Sequence, residues 1–148
     1  MAEELKLSEF LPYQLVALAN RISRDFSRRY REEFGLSIPE WRVLAHLAQA
    51  GEPLSVREIH ERVDMDKSKI SRAATRLERN GYVSKQVNPT DRRLVALELT
   101  GAGRELYAAI TPIALDFQAE LLARLPAEDG ETFRALVSRL LKATEPVK

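Results

Sequence analysis

Positively charged side chains are concentrated between positions 66 and 93 of this 148-residue chain. The segment holds eight lysines and arginines against three acids, a net charge of +5, so the remaining residues sum to −4 because the whole chain carries +1. The eight bases are Lys67, Lys69, Arg72, Arg76, Arg79, Lys85, Arg92 and Arg93. Lysine binds phosphate as a point charge, and arginine can also donate two parallel hydrogen bonds to one anion or one guanine edge. The pattern predicts oriented binding of a nucleic acid.

A helix from Asp66 to Asn80 is predicted to position the first five of these bases. Its apolar residues recur at helical spacing and mark a buried side, Ile70, Ala73, Ala74 and Leu77. The opposite side carries Ser68, Arg72, Thr75, Arg76 and Arg79. Asp66 suits the N-cap, and Gly81 suits the left-handed residue that follows a helix. A basic helix face can also be merely solvated, so the helix alone leaves both interpretations open.

Two short strands are predicted after Gly81, over residues 82–87 and 94–99, and together they should form a hairpin. Alternate side chains of each strand should share one half-buried face because successive residues point to opposite sides of a sheet. These side chains are Val83, Lys85 and Val87 in the first strand and Val95, Leu97 and Leu99 in the second.

The turn at 88–93 is polar and should place two arginines at the tip of the hairpin. Pro89 fixes its own φ and removes a backbone donor, as turns require. Asp91 can bond nearby backbone or orient the guanidinium of Arg92 or Arg93. An ordinary turn salt bridge between Asp91 and Arg93 is the alternative interpretation.

The segments before the basic helix are predicted to form three helices. Apolar residues spaced at three or four through 5–34 predict a long helix that is broken or bent near Pro12. Capping-box patterns at Ser37–Glu40 and Ser55–Glu58 predict the starts of a second helix and a short third one. The third helix, a tight turn at 64–65 and the basic helix form a helix-turn-helix, and the hairpin makes the unit a winged helix.

Two further helices are predicted after the hairpin. Thr100 can cap the first, Pro112 should kink it without ending it, and Pro126 marks the break before the last. Their apolar positions are Leu106, Ile110, Ile113, Leu115, Phe117, Leu121, Leu122 and Leu125, then Phe133, Leu136, Val137, Leu140 and Leu141. The N-terminal segment adds Leu5, Leu7, Phe10 and Leu11. These surfaces exceed what a small domain buries, which indicates pairing of two chains. A bundle within one chain is the alternative.

Other classes of function find little support in the sequence. The chain has no cysteine and only two histidines, His46 and His60, so thiolate metal sites are excluded and metal sensing is disfavoured. It lacks a long apolar run and an apolar leader, which predicts a cytoplasmic protein with no membrane partner. No phosphate-binding glycine loop with lysine occurs, and Gly101-Ala102-Gly103 is too short for a dinucleotide fingerprint. Neither an enzyme nor a cofactor is expected.

Three motifs follow one another in the chain. Lys67–Val83 contains leucine-glutamate, two residues, glycine and two apolar residues; Asp91-Arg92-Arg93 follows, and then Leu99-Thr100-Gly101-Ala102-Gly103. In this order they resemble the recognition helix, the wing and the leucine-threonine-x-x-glycine junction of the MarR family of bacterial transcription regulators. The similarity extends from about residue 10 to residue 145. It implies a homodimer that binds a palindromic operator, commonly as a repressor, and is often released by a small aromatic or lipophilic acid or its coenzyme A thioester.

Several side chains of the candidate DNA-binding site have a specific expected contact. The first turns of the recognition helix, which enter the major groove, carry Lys67, Ser68, Lys69, Ser71 and Arg72. Arg72 is the candidate for reading a base, whereas Arg76 and Arg79 lie further along and should contact phosphate. Arg93 matches the family's wing arginine and should enter a narrow, A·T-rich minor groove, with Asp91 holding its guanidinium.

The expected architecture is mainly α with a small β-hairpin wing. Residues 36–99 form the winged helix-turn-helix domain, and residues 1–35 and 100–148 form a helical dimerisation region. Family ligands sit between these parts, where the candidate contacts are Tyr13, Trp41 and His46. These three can equally be core aromatics and a structural histidine. The alternative function is a constitutive or architectural DNA-binding protein of the same fold without an effector.

Overall fold

The computed structural model describes residues 2–87, 89–91 and 95–146. The chain divides into two compact units, Met1–Thr111 and Pro112–Lys148. The helices are α1 Leu11–Phe34, α2 Ile38–Ala50, α3 Val56–Arg62, α4 Lys67–Arg79, α5 Gly101–Leu122 and α6 Ala127–Ala143. The strands β1 Leu54–Ser55, β2 Val83–Val87 and β3 Val95–Leu99 form one antiparallel sheet in the order β1-β3-β2. The predicted fold class, mainly helical with a small β wing, is confirmed.

The sequence predicted that the first long helix is broken or bent near Pro12, and the structure has the break there. Pro12 lies in the first turn of α1, where Phe10 is the N-cap, and a separate 3₁₀ turn covers Leu7–Glu9. Proline suits this position because its φ is already helical and a first-turn N–H has no acceptor within the helix. The predicted break is therefore confirmed, and residues 5–10 lie outside α1.

The apolar core of the first unit joins α2, α3 and α4 to the sheet. Its most buried side chains include Val43, Leu44, Leu54, Ile59, Ile70, Leu77, Leu97 and Ile110. The helices α2 and α3 contribute Leu44 and Ile59, which are fully buried. This core fixes the position of α4, because α4 supplies four of its buried residues.

The strand β1 was not predicted. Leu54 pairs with Leu97 and Ser55 with Ala96, which makes β3 the central strand. Two residues are too few to show an alternating pattern in the sequence. In the predicted hairpin Val83 lies opposite Leu99, but the strand β2 leaves the core along its length, and Val87 is 53% exposed, not half-buried as expected.

The helix caps lie at the predicted positions, but two of the N-caps differ from the prediction in their side-chain hydrogen bonds. Ser55 and Glu58 form a complete capping box at the start of α3. Ser37 accepts the Glu40 N–H at 3.3 Å, but the Glu40 carboxylate accepts the Ser37 hydroxyl at 2.8 Å and so does not complete the box. Asp66 is the N-cap of α4 by backbone conformation, without a side-chain hydrogen bond. Gly81 has a φ of 83°, as the stop signal predicted.

The second unit consists of the end of α5, a short connection and α6. Pro112 lies inside α5 without ending it, as predicted, whereas Leu125 falls in the connection because α5 ends at Leu122. Among the described residues of this unit, only Gly130 is buried. Its exposed large apolar side chains are Leu115, Leu125, Phe133, Leu136, Val137, Leu140 and Leu141.

No single helix in the described part of the chain has the length and apolar composition needed to cross a membrane. Only α5 and α6 counted together, across the break between them, meet that criterion.

Candidate nucleic-acid interface

The two sides of α4 differ sharply in exposure. Its predicted apolar side is buried in full, at Ile70, Ala73, Ala74 and Leu77. The predicted polar side is exposed, and so are the residues of its first turns: Lys67, Ser68, Lys69, Ser71, Arg72, Thr75, Arg76 and Arg79. Packing of the apolar side against the core fixes the orientation of α4 about its own axis. In this orientation the cations face the solvent.

The middle of α4 forms a shallow cationic groove. A cavity of about 270 Å³ is lined by Ser71, Arg72, Thr75, Arg76 and Arg79. The Thr75 hydroxyl donates a hydrogen bond to the Ser71 carbonyl at 2.9 Å, which leaves the guanidinium groups as the main donors along the groove. Three guanidinium groups on one face can bind an array of phosphates or a base edge.

Arg76 forms an ion pair with a residue of α2. Its Nη1 lies 3.8 Å from the Glu40 Oε1, and its side chain is 61% exposed while that of Glu40 is 7% exposed. Glu40 and Ser27 are the buried polar residues of the described part of the chain. This pair was not predicted from the sequence, because the Glu40 carboxylate was assigned to a cap and the two residues are far apart in the chain.

Lys85 connects β2 to the C-terminal half of α4. Its Nζ lies 3.6 Å from the Glu78 Oε1 and donates to the Thr75 Oγ1 at 3.4 Å. The lysine was predicted to share a face with Val83 and Val87, and that alternation directs it toward the helix. Lys85 therefore has two polar partners within the fold, and these contacts hold β2 against α4.

The turn before α4 is fixed by His60. Its Nδ1 lies 2.8 Å from the Met65 carbonyl oxygen, which means that this nitrogen carries the proton and donates. The Met65 N–H in turn donates to the Val63 carbonyl at 2.9 Å. These bonds satisfy the backbone between α3 and α4 and set the point at which α4 begins.

Part of the predicted wing lies outside the described residues. This applies to Arg92 and Arg93, the two arginines expected at the hairpin tip. Asp91, their expected partner, is described and half-buried.

The three predicted effector residues lie in different surroundings. Trp41 stacks on Tyr107, with ring centroids 5.9 Å apart, and on Tyr30 at 5.6 Å, and it meets Phe26 edge to face. Tyr13 is 47% exposed on α1. His46 is half-buried on α2.

Burial shifts the pKa values of two groups in the first unit. Burial lowers the pKa of His46 below its ordinary value, and the positive charges of Arg62 and Arg42 lower it further. The His46 imidazole is therefore neutral at pH 7. Burial raises the pKa of Tyr30 to about 12, against the opposing effects of Arg42 and Arg31.

A cleft of about 990 Å³ opens in the first unit beside the start of α4. The walls of the cleft are formed by residues of α1, the start of α2, the end of α3 and the turn that follows α3. Its cations are Arg24, Arg42, Arg62 and Lys69, and its acids are Glu61, Asp64 and Asp66. The Arg42 Nη2 donates to the Ser23 hydroxyl at 3.3 Å. Tyr13, Trp41 and His46 do not line this cleft.

Comparison with known proteins identifies the family. A sequence profile described as MarR family matches residues 34–94. The chain is 30% identical over 131 residues to YwoH of Bacillus subtilis strain 168, an uncharacterised helix-turn-helix-type transcriptional regulator, and the match covers 86% of this chain and 94% of YwoH. This chain belongs to the MarR family of transcription regulators. The family and the curated relative are regulators, not enzymes, in agreement with the sequence analysis.

Solved structures of the MarR family share the fold over nearly the whole chain. A MarR family regulator from Silicibacter pomeroyi DSS-3 matches with a TM-score of 0.81 and 25% identity, covering 96% of this chain and all of that one. BpsR of Bordetella bronchiseptica, whose DNA binding is regulated by 6-hydroxynicotinic acid, matches with a TM-score of 0.79 and 23% identity, covering 98% of this chain and 100% of BpsR. The latter likeness concerns the fold alone.

Proposed function

We propose that this MarR family protein is a homodimer that binds a palindromic operator duplex. The observation that carries the proposal is the two-sided α4, whose apolar side is anchored in the core while its cations and hydroxyls are exposed. A single helix fits the major groove of B-DNA, which is about 12 Å wide. Phosphate contacts would orient the helix, and contacts to base edges would select the sequence.

The proposed contacts divide by their place in the chain. Those of α4 are Lys67, Ser68, Lys69, Ser71, Arg72, Arg76 and Arg79, and those of the wing are Asp91, Arg92 and Arg93. Arg72 is proposed to read a base because it lies within the first two turns of α4, the end proposed to enter the major groove. Arg76 and Arg79 are proposed to contact phosphate, and Arg93 is proposed to enter the adjacent minor groove.

Dimerisation is proposed to use residues 1–35 and 100–148, and DNA binding residues 36–99. Two sets of exposed apolar side chains support this division. One lies at the N-terminus, where Leu5 is 67% exposed, and the other on the second unit, where Leu141 is 66% exposed. Exposed apolar surface of this extent indicates an interface. Two-fold pairing would place two recognition helices about 34 Å apart, one turn of DNA.

We also propose that the protein represses transcription. A small aromatic or lipophilic acid, or its coenzyme A thioester, would relieve this repression. The cleft beside α4 supports this proposal, because it has room for such a molecule and carries Arg42 and Lys69 as counter-charges. Tyr13, Trp41 and His46 do not line this cleft, so they are proposed contacts only for an effector that binds elsewhere. A neutral His46 would serve such an anion as a hydrogen-bond partner and not as a counter-ion.

Duplexes selected from a randomised library test the proposal. We expect a palindromic consensus, a dimer by light scattering, and an affinity whose logarithm falls with log salt at a slope of about −0.9 per phosphate neutralised. Binding that shows no salt dependence would contradict DNA recognition by α4. Titration of the complex with 6-hydroxynicotinic acid and with benzoate then tests the effector. If neither these acids nor their thioesters release DNA, a constitutive regulator is favoured.

A further inference from the structure

Glu40 is a buried carboxylate next to an exposed arginine of the DNA-facing groove. Its Oε1 accepts the Ser37 hydroxyl at 2.8 Å and lies 3.8 Å from the Arg76 Nη1. Among the described residues, Arg76 is the cation that pairs with it. A buried carboxylate is costly unless a charged partner compensates it, so the carboxylate keeps the guanidinium close.

Arg76 keeps most of its donors available in this arrangement. A guanidinium has five N–H donors in a rigid plane, and the contact with Glu40 involves only the Nη1 edge. The side chain remains 61% exposed in the groove that it shares with Arg72 and Arg79. The same group can therefore face the carboxylate on one side and a phosphate on the other.

We propose that Glu40 is a positioning residue for DNA binding, which holds the Arg76 guanidinium at the place where a phosphate meets α4. This inference rests on the proposed function. An unrestrained arginine samples many rotamers and loses that freedom when it binds. Glu40, fixed by Ser37 and by burial in α2, removes this freedom before DNA arrives.

Whether Glu40→Gln weakens or strengthens DNA binding distinguishes positioning of Arg76 from simple electrostatics. Glu40→Gln keeps a side chain of the same size that can still accept the Ser37 hydrogen bond, but it removes a negative charge. Charge alone would tighten binding, because DNA is a polyanion. Positioning predicts the opposite, an affinity about threefold to fivefold weaker, the range expected for an ion pair with one exposed partner.

The experiment measures fluorescence anisotropy on a mixed-sequence duplex of about 30 base pairs at one fixed salt concentration. Glu52→Gln, in the loop after α2, is the matched control, because it removes an exposed negative charge and should leave affinity unchanged or slightly higher. Glu40→Asp keeps the charge but shortens the side chain, and it should weaken binding as Glu40→Gln does. Circular dichroism melting shows that each variant is folded at the assay temperature.

The Arg76→Ala background provides the decisive comparison. There Glu40→Gln should not weaken DNA binding further, because the group that it positions is gone. A loss of the same size in both backgrounds assigns Glu40 to support of the fold and overturns the proposal, as does tighter binding by Glu40→Gln alone. A wild-type chain that binds no duplex would remove the proposed function itself, whereas normal wild-type binding with an unaffected Glu40→Gln removes only the positioning role.

Discussion

The backbone carbonyl oxygen of Tyr82 occupies the position that a β-carbon on Gly103 would need. The same oxygen accepts the Thr100 N–H at 3.0 Å, and the Thr100 hydroxyl donates to the Gly81 carbonyl at 2.6 Å. Thr100 also accepts the Gly103 N–H at 3.1 Å, which confirms it as the cap of α5. The start of α5 is thus locked onto the segment that joins α4 to β2.

Gly103→Ala should destabilise the protein by about 1 to 3 kcal/mol, because the added methyl group meets a backbone atom that cannot rotate away. Urea denaturation followed by circular dichroism measures this as a lower midpoint. Gly101→Ala is the matched control. It lies two residues earlier with no atom near its missing β-carbon, so its free energy of unfolding should stay equal or rise by up to about 1 kcal/mol. Equal stability of the Gly103→Ala variant would contradict the packing described here.

Much of the structure around α4 could be predicted, because the sequence patterns that determine it are local. Helical spacing gave the buried side of α4, and Gly81 gave its end, since a positive φ suits glycine. The leucine-threonine-x-x-glycine junction was recognised only as a motif. Its physical reason, the close approach of Gly103 to Tyr82, depends on two segments meeting in space and cannot be derived from spacing alone.

Other features depend on tertiary contacts and were missed for that reason. The strand β1 exists because Leu54 pairs with Leu97, and no periodic pattern marks two residues. The pairing of Glu40 with Arg76 joins α2 to α4. The family resemblance made Trp41 a candidate ligand contact, with a place in the core as the alternative, and the sequence did not decide between the two. Trp41 packs among Phe26, Tyr30 and Tyr107.

Arg72→Ala should weaken binding to the selected operator by about 1 to 3 kcal/mol and relax base preference at one position in each half-site. The reason is that a bidentate arginine distinguishes guanine from other bases. Lys69→Ala is the comparison, because loss of a phosphate contact should weaken all sequences nearly equally. Competition between operator and scrambled duplex measures both. If Arg72→Ala leaves that discrimination intact, base readout belongs to another residue.

Arg93→Ala should penalise operators with A·T-rich flanks more than those with G·C-rich flanks. A narrow A·T minor groove has an enhanced negative potential that attracts an inserted arginine. Affinities for two duplexes with identical half-sites and exchanged flanks give the measurement. Equal losses on both duplexes would argue against a minor-groove contact.

The stability of the fold should depend on pH through His46. Burial, aided by Arg62 and Arg42, lowers the pKa of His46 in the folded chain, while the unfolded chain keeps a pKa near 6.5. Below that pH the unfolded state binds more protons, so the free energy of unfolding falls as the pH drops through the folded pKa. Urea denaturation of wild type and His46→Gln at pH 7 and at pH 5 measures this. The variant should lose less stability than wild type between the two pH values, because its side chain does not titrate. Equal losses would show that the imidazole is not desolvated, and a larger loss in the variant would show that its protonated form is the one that the fold favours.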